Sequence, residues 1–169
     1  FDAVLYATGR KANTANIGLE HTDIATNERG AIVVNDTCES SVPGVYAVGD
    51  VNGGPQFTYI SLDDFRIVFG ALTGNSQYTL KDRKNIPYTT FLTPPLSRVG
   101  LTEEDAINQG YTVKTKEMLV ATMPRAHVND YLKGAFKIVV DADNDLILGA
   151  TLYSQGAEEL INLIKMAMD

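Results

Sequence analysis

One cysteine, Cys38, is present in 169 residues, so the chain can close no internal disulfide and contains no CxxC redox pair. Positive charge is also in deficit. Fourteen Lys and Arg stand against 21 Asp and Glu, a net charge of -7, which argues against a nucleic-acid or anionic-membrane surface. No apolar run approaches the ~20 residues that a membrane-spanning helix needs, and the opening residues do not read as a signal peptide. The two histidines, His21 and His127, are isolated and lack metal-ligand spacing. Each reads as a solvated or locally hydrogen-bonded side chain. There is no internal repeat and no low-complexity segment. A cytoplasmic protein is the simplest reading of these absences. An initiator Met is missing as well: the chain opens on Phe1-Asp2-Ala3-Val4-Leu5-Tyr6-Ala7, already inside an apolar run, and stops inside the helical pattern "LINLIKMAMD". Both ends look cut, so a fragment of a longer protein is expected.

What is present is a globular composition, 44% hydrophobic and 21% charged, in a length that suits one ordinary domain or two small ones. Residues 1–8 read as a short buried strand, followed by the polar loop "TGRKANTANIGLE". Residues 31–35 carry a β-branched strand signal after a turn at 27–30, and residues 45–48 a third strand. A helix is expected near 59–72. Leu62, Phe65, Phe69 and Leu72 recur there at steps of three and four as its apolar stripe, with Asp63, Asp64 and Arg66 facing elsewhere. Gly74-Asn75 ends it. Residues 75–87 are polar and read as a domain boundary. Beyond them the pattern changes. Strands are expected at 88–93 and 111–121, with a short helix between them at "LTEEDAINQG". In that helix Thr102 is the N-cap, Glu103, Glu104 and Asp105 fill the first turn, and Gly110 is the stop. Two strands, 134–141 and 146–153, flank the turn signal at 141–145. A last helix from about 156 has Leu160, Ile161, Ile164 and Met168 on one stripe. The second part therefore reads as an α+β domain, an antiparallel sheet with helices on one face.

The stretch with chemical content is "GVYAVGD", residues 44–50. A strand that ends by presenting Asp50 beside Gly49 puts a carboxylate where α/β folds gather ligands. Gly49 lets a ligand approach the backbone closely, and the carboxylate suits a ligand that offers hydroxyls. The N-terminus of the following helix, at Thr58, Tyr59 and Ile60, brings partial positive charge. The pair suits an extended ligand with hydroxyls at one point and developing negative charge at another; a reduced flavin fits. The alternative is a strand–turn–helix whose aspartate only caps the turn.

"YATGRKAN", residues 6–13, resembles the ATGRxPN motif of the two-dinucleotide-binding-domain flavoproteins, and "VYAVGDV" resembles their second flavin-binding motif, at the right spacing of about forty residues. "FLTPPLSRVGLTEEDA" and "ILGATLYSQGAEELINLIKMAM" resemble the C-terminal dimerisation domain of the pyridine nucleotide–disulfide oxidoreductases. The tract "GGPQFTYISLDDFRIV" is similar to the mercuric-reductase-like branch and, within it, to the reactive-chlorine-resistance reductases. The resemblance covers nearly the whole chain. It implies an α/β partial FAD-binding domain over residues 1–82 and a dimerisation domain over 86–169. It also implies FAD and NADH or NADPH as cofactors, a homodimer, and a small-molecule or disulfide substrate. Asp50 is then expected to hold a ribityl hydroxyl of FAD, Gly49 to permit its approach, and Thr58, Tyr59 and Ile60 to face the flavin pyrimidine edge. Gly9 and Arg10 are expected at the junction of the nucleotide and FAD domains. Ala12 stands where the family usually has proline.

Other family features are missing from these residues. There is no GxGxxG, no CxxxxC pair and no His-Pro-Thr segment. By resemblance, the parent moves hydride from the nicotinamide to FAD and electrons on to a redox disulfide and substrate, and this chain supplies one flank of the FAD site and the dimer module. An NAD(P)H oxidase or flavin reductase without the disulfide, or a non-catalytic dimerisation module, remains open.

The remaining candidates have plainer readings. Cys38 is read as inert, since a reactive thiol needs an electropositive, partly exposed setting. Arg125-Ala126 is read as structural or interfacial, and the acidic run 103–105 as compensation of the helix dipole. Tyr59 is open to a cofactor contact or a packing role.

Overall fold

The computed structural model describes residues 2–169. They divide into two compact units, the first ending at Arg83 and the second Lys84–Asp169.

Little of the first unit is regular. The strand expected over 1–8 is not formed by the described residues 2–8, where Val4, Leu5 and Tyr6 are exposed; Phe1 lies outside the described residues. The strands expected at 31–35 and 45–48 shrink to isolated bridges, Thr26–Ile32, Val34–Ser40 and Glu39–Tyr46. A strand persists only beside a neighbour that takes up its N–H and C=O groups. Here turns take most of them instead: Asn35 Oδ1, for example, accepts from the amides of Thr37 and Glu39. Single links such as Ile32 N–H to Val51 C=O (2.9 Å) and Ala47 N–H to Cys38 C=O (3.0 Å) hold the segments together.

The one long element is α1, Thr58–Leu72. It stops where the sequence signals a stop: Gly74 takes φ +75° and the Asn75 amide turns back to Gly70 C=O at 2.8 Å. Its inner face differs from expectation. Ile60, Asp64 and Ile67 are buried, whereas Leu62, Phe65, Phe69 and Leu72 are each more than half exposed. Positions 60, 64 and 67 are separated by steps of four and three, so they share a face. Asp64 has hydrogen-bond partners inside the unit, which is why a face carrying a carboxylate can turn inward.

The second unit is an antiparallel sheet of β1 (Tyr88–Thr90), β2 (Leu96–Gly100), β3 (Val113–Leu119), β4 (Ala135–Asp141) and β5 (Ile147–Tyr153), in the order β1-β2-β5-β4-β3. Three helices accompany it, α2 (Glu103–Asn108), α3 (Pro124–Val128) and α4 (Ala157–Met168). The β4–β5 hairpin turns where Asp141 N–H meets Leu146 C=O at 2.9 Å. A bulge at Val139/Val140 shifts the register between the two strands. Val99, Ala150, Leu152, Ala157 and Ile161 form the core, with Phe136, Ile164 and Met168 packed against it. A fully buried Ile in such a cluster contributes roughly 1.5–3 kcal/mol. Of the stripe expected on the last helix, Leu160 is turned outward and Ala157 takes the inner place. Lys137 alternates to the side of β4 away from Phe136 and Ile138 and pairs with Glu103 at the start of α2, 2.5 Å. The strand expected over 88–93 ends at Thr90, ahead of Pro94 and Pro95, which cannot donate to a ladder. β2 and α3 were not anticipated.

Candidate functional site

Residues 49–52 form one turn of 3-10 helix, entered from extended Val48 and left through Gly53. Gly49 has φ +72°, and a Cβ built there would fall 2.5 Å from Ser61 Oγ on α1. Only glycine fits that combination. The close approach that Gly49 permits within this chain is therefore that of α1 itself. Behind the turn lies Asp64. Its Oδ2 accepts from Gly49 N–H at 2.7 Å and from Asn52 Nδ2 at 2.9 Å. Its Oδ1 accepts from Arg83 Nη2 at 2.5 Å. Arg83 Nε donates to Asp63 Oδ2 at 2.7 Å, and Tyr78 Oη donates to the same oxygen at 3.3 Å. Burial opposes the charge on Arg83, but its hydrogen bonds to Asp64 and Asp63 outweigh burial and hold the guanidinium above its ordinary pKa. Burial, then the charge of Asp63, pushes the Tyr78 phenol up.

In front of the turn, the Asp50 carboxylate is half-exposed, with Arg10 Nη1 at 3.8 Å. That separation is an ion pair but not a hydrogen bond, and both partners are well solvated, so it adds little stability. The carboxylate lone pairs are thus not spent on a donor among the described residues. Asp50 borders an open cleft of about 390 Å³, with Gly53, Gln56, Asn27, Arg29 and Ala12 among its walls. The structure thus brings Arg10 to Asp50. Gly9, at φ +112°, is exposed in the approach to Arg10. Thr58 opens α1, whose N-cap residue Phe57 supplies no side-chain acceptor. Tyr59 stacks on Phe57, with ring centroids 5.3 Å apart and planes 8° apart, and burial pushes its phenol up. Ile60 is buried and its N–H bonds Phe57 C=O at 3.0 Å.

Cys38 is fully buried. Burial, then the nearby charge of Asp64, pushes its thiol up to about 11, with Arg83 opposing. A thiol kept protonated is a poor nucleophile. His127 Nε2 sits 2.8 Å from Ala121 C=O, and His21 is exposed beside Glu20. Among the described residues no group of three or more His, Cys, Asp or Glu could hold a metal. Asp105 closes a capping box with Thr102, whose hydroxyl and amide lower its pKa. Arg125 lies exposed in α3, beside buried Ala126. No helix among the described residues is long and apolar enough to cross a membrane.

Asp64, Arg83 and Asn52 are the participants that sequence reasoning missed. The available signal was the row Ile60–Asp64–Ile67, a second face of α1 with one carboxylate between two isoleucines.

The chain belongs to the pyridine nucleotide-disulphide oxidoreductase family. That family matches residues 1–64, and its dimerisation domain matches residues 86–169. The chain is 48% identical, over 99% of its length, to the pyridine nucleotide-disulfide oxidoreductase RclA of Escherichia coli (strain K12), and spans 38% of that protein. It is 36% identical over 99% of its length to mercuric reductase from Staphylococcus aureus, spanning 30% of it. The structure of the HOCl-induced flavoprotein disulfide reductase RclA from E. coli superposes with a TM-score of 0.89 at 46% identity, over 96% of this chain and 37% of the other. The family implies FAD and a nicotinamide nucleotide as cofactors. The cleft beside Asp50 fits the hydroxyl-bearing part of such a cofactor: two carboxylates (Asp50 and Glu28), two side-chain amides and a guanidinium border it, a donor and acceptor set for hydroxyl groups.

Proposed function

We propose that this chain supplies one flank of the FAD site and the dimer module of an FAD-dependent NAD(P)H oxidoreductase. The observation that carries the reading is Asp50, half-exposed at the cleft and fixed from behind. Its carboxylate would accept a ribityl hydroxyl, while the α1 N-terminus at Thr58 and Tyr59 would face the electron-rich edge of the ring. Bound FAD would supply the two-electron chemistry, accepting hydride from NADH or NADPH and passing electrons to a redox disulfide and then to a small-molecule or disulfide substrate. Cys38, buried and protonated, takes no part, so the disulfide lies outside these 169 residues. Arg10 beside Asp50 supports a junction role for Gly9 and Arg10.

Residues 1–82 act as the C-terminal half of the FAD domain in this reading. Support comes from the apolar groups they leave in water: Leu5 and Tyr6, and on α1 Phe65, Phe69 and Leu72. Those groups suit coverage by more of the same domain. Residues 86–169 act as the dimerisation domain. Exposed Leu163 and Met166 on α4, and a groove of about 470 Å³ with Met118, Phe136, Ile138, Leu152 and Ile164 in its walls, support a homodimer. The lone, buried cysteine supports a cytoplasmic setting.

The test is purification of the full-length protein in native form. It is expected to be yellow, with flavin absorption bands, and Asp50→Ala is expected to raise the Kd for FAD about ten-fold or more. A colourless protein that releases no flavin on denaturation overturns the proposal.

A further inference from the structure

Gly49 and Asn52 lie on either side of Asp50 in one turn, and both are held by the same oxygen, Asp64 Oδ2. Asp64 is 0% exposed, and its other oxygen is held by Arg83, itself 10% exposed. Asp63 takes the second arm of the guanidinium fork. A pair of apolar residues of similar volume would pack a helix face at less cost in desolvation than this arrangement. An apolar pair could not, however, accept two donors from the turn at once. The turn is short, so two fixed points leave it little freedom to rotate, and Asp50 points to the cleft between them. Ser61, against the missing Cβ of Gly49, closes the remaining direction.

We propose that Asp64 is a positioning residue for Asp50, and that Arg83 locks Asp64 in the orientation that does this. The ligand concerned is the hydroxyl-bearing ribityl chain of FAD, so the inference rests on the reading of Asp50 given above. Asp64 never meets the cofactor; it sets where the Asp50 carboxylate stands.

The test is FAD titration of the full-length apoprotein, with thermal unfolding of every variant recorded alongside. Asp64→Asn keeps the shape of the side chain but loses its charge and one acceptor oxygen; it is expected to raise the Kd for FAD about ten-fold. Arg83→Lys keeps the charge but loses the fork; it is expected to raise the Kd less, in the same direction, and it stands in if Asp64→Asn does not fold. Ile67→Ala opens a cavity on the same buried face of α1 and removes none of the hydrogen bonds that hold the turn. It is expected to lower the melting temperature and leave the Kd at the wild-type value, which a purely structural role for Asp64 would not separate. Wild-type affinity in Asp64→Asn or Arg83→Lys overturns the inference. So does a loss of affinity in Ile67→Ala equal to theirs at equal destabilisation. Asp50→Ala, run in parallel, tests the underlying assignment: an unchanged Kd there removes Asp50 as the ligand. A large loss with Asp50→Ala and none with Asp64→Asn removes the positioning role alone.

Discussion

Arg83 and Asp64 form a buried ion pair, Nη2 to Oδ1 at 2.5 Å, between the last residue of the first unit and the inner face of α1. Nineteen residues of sequence separate the two groups. The pair therefore joins the turn around Asp50, the helix and the end of the unit in one hydrogen-bonded set.

Breaking that pair from one side should be costly. Asp64→Ala leaves a desolvated guanidinium with Asp63 only, and also strands the Gly49 N–H. A loss of about 3–5 kcal/mol in unfolding free energy is expected by urea melts. Asp64→Leu combined with Arg83→Met should cost less than the sum of the singles, because each single leaves the other member of the Arg83–Asp64 pair buried alone and the double does not; Asp63, 21% exposed, loses Arg83 in the double as it does in the Arg83 single. Additive losses would contradict the geometry.

Gly49→Ala adds a methyl where φ is +72° and where Ser61 Oγ lies 2.5 Å away. Left-handed strain and overpacking together should cost about 2–4 kcal/mol. Ser61→Ala in that background removes the nearer atom and should restore part of the loss, leaving the backbone share. No recovery at all would mean that the contact is absent.

Cys38 makes alkaline pH informative. Its folded pKa is about 11 against an ordinary 9.0. Above pH 9 the unfolded chain ionises first, so the unfolded state gains. The contribution is whole below 9 and declines as pH climbs to about 11, where the folded thiol also ionises. The difference in urea stability between wild type and Cys38→Ala should be flat below pH 8.5. It should then fall by up to about 3 kcal/mol across this window. A flat difference to pH 11 would show that the thiol is solvated.

In α4, Ile161 is 1% exposed and Leu163 is 62% exposed. Ile161→Ala should cost the second unit about 2–5 kcal/mol, and Leu163→Ala within about 0.5 kcal/mol when the 169-residue chain is measured as a monomer. Equal losses would mean that the helix is rotated on the sheet.

The second unit was more legible in the sequence than the first, for a physical reason. Thr102 and Asp105 close a box within four residues, and the 141–145 turn joins strands next to each other in sequence, so local chemistry decides both. β2 was missed because Ser97 and Arg98 interrupt its apolar pattern and two prolines precede it. In the first unit, Ile32 and Tyr46 carry strand propensity but find only single bridges. Propensity does not supply a neighbour. The stripe on α1 was read from its bulkiest row. The inner face was instead decided by where Asp64 could find Gly49, Asn52 and Arg83, contacts 12 to 19 residues distant that no helical period encodes. The turn at Gly49 and Asp50 was legible because glycine and aspartate at the end of an apolar run form a local pattern; the residues behind it, Asp64 and Arg83, were not.

The grip on Arg83 has a mechanical side. Tyr78 and Lys81 are also fastened, to Asp63 and Asp36, but Arg83 comes last, so tension arriving along the backbone from Lys84 loads its forked head first. Two carboxylates on neighbouring positions of one helix share that load in shear, and the strap from 78 to 82 cannot peel away until they let go. Release of this latch would free Asp64 as well, and with it the hydrogen bonds to Gly49 and Asn52 that hold the turn beside the cleft.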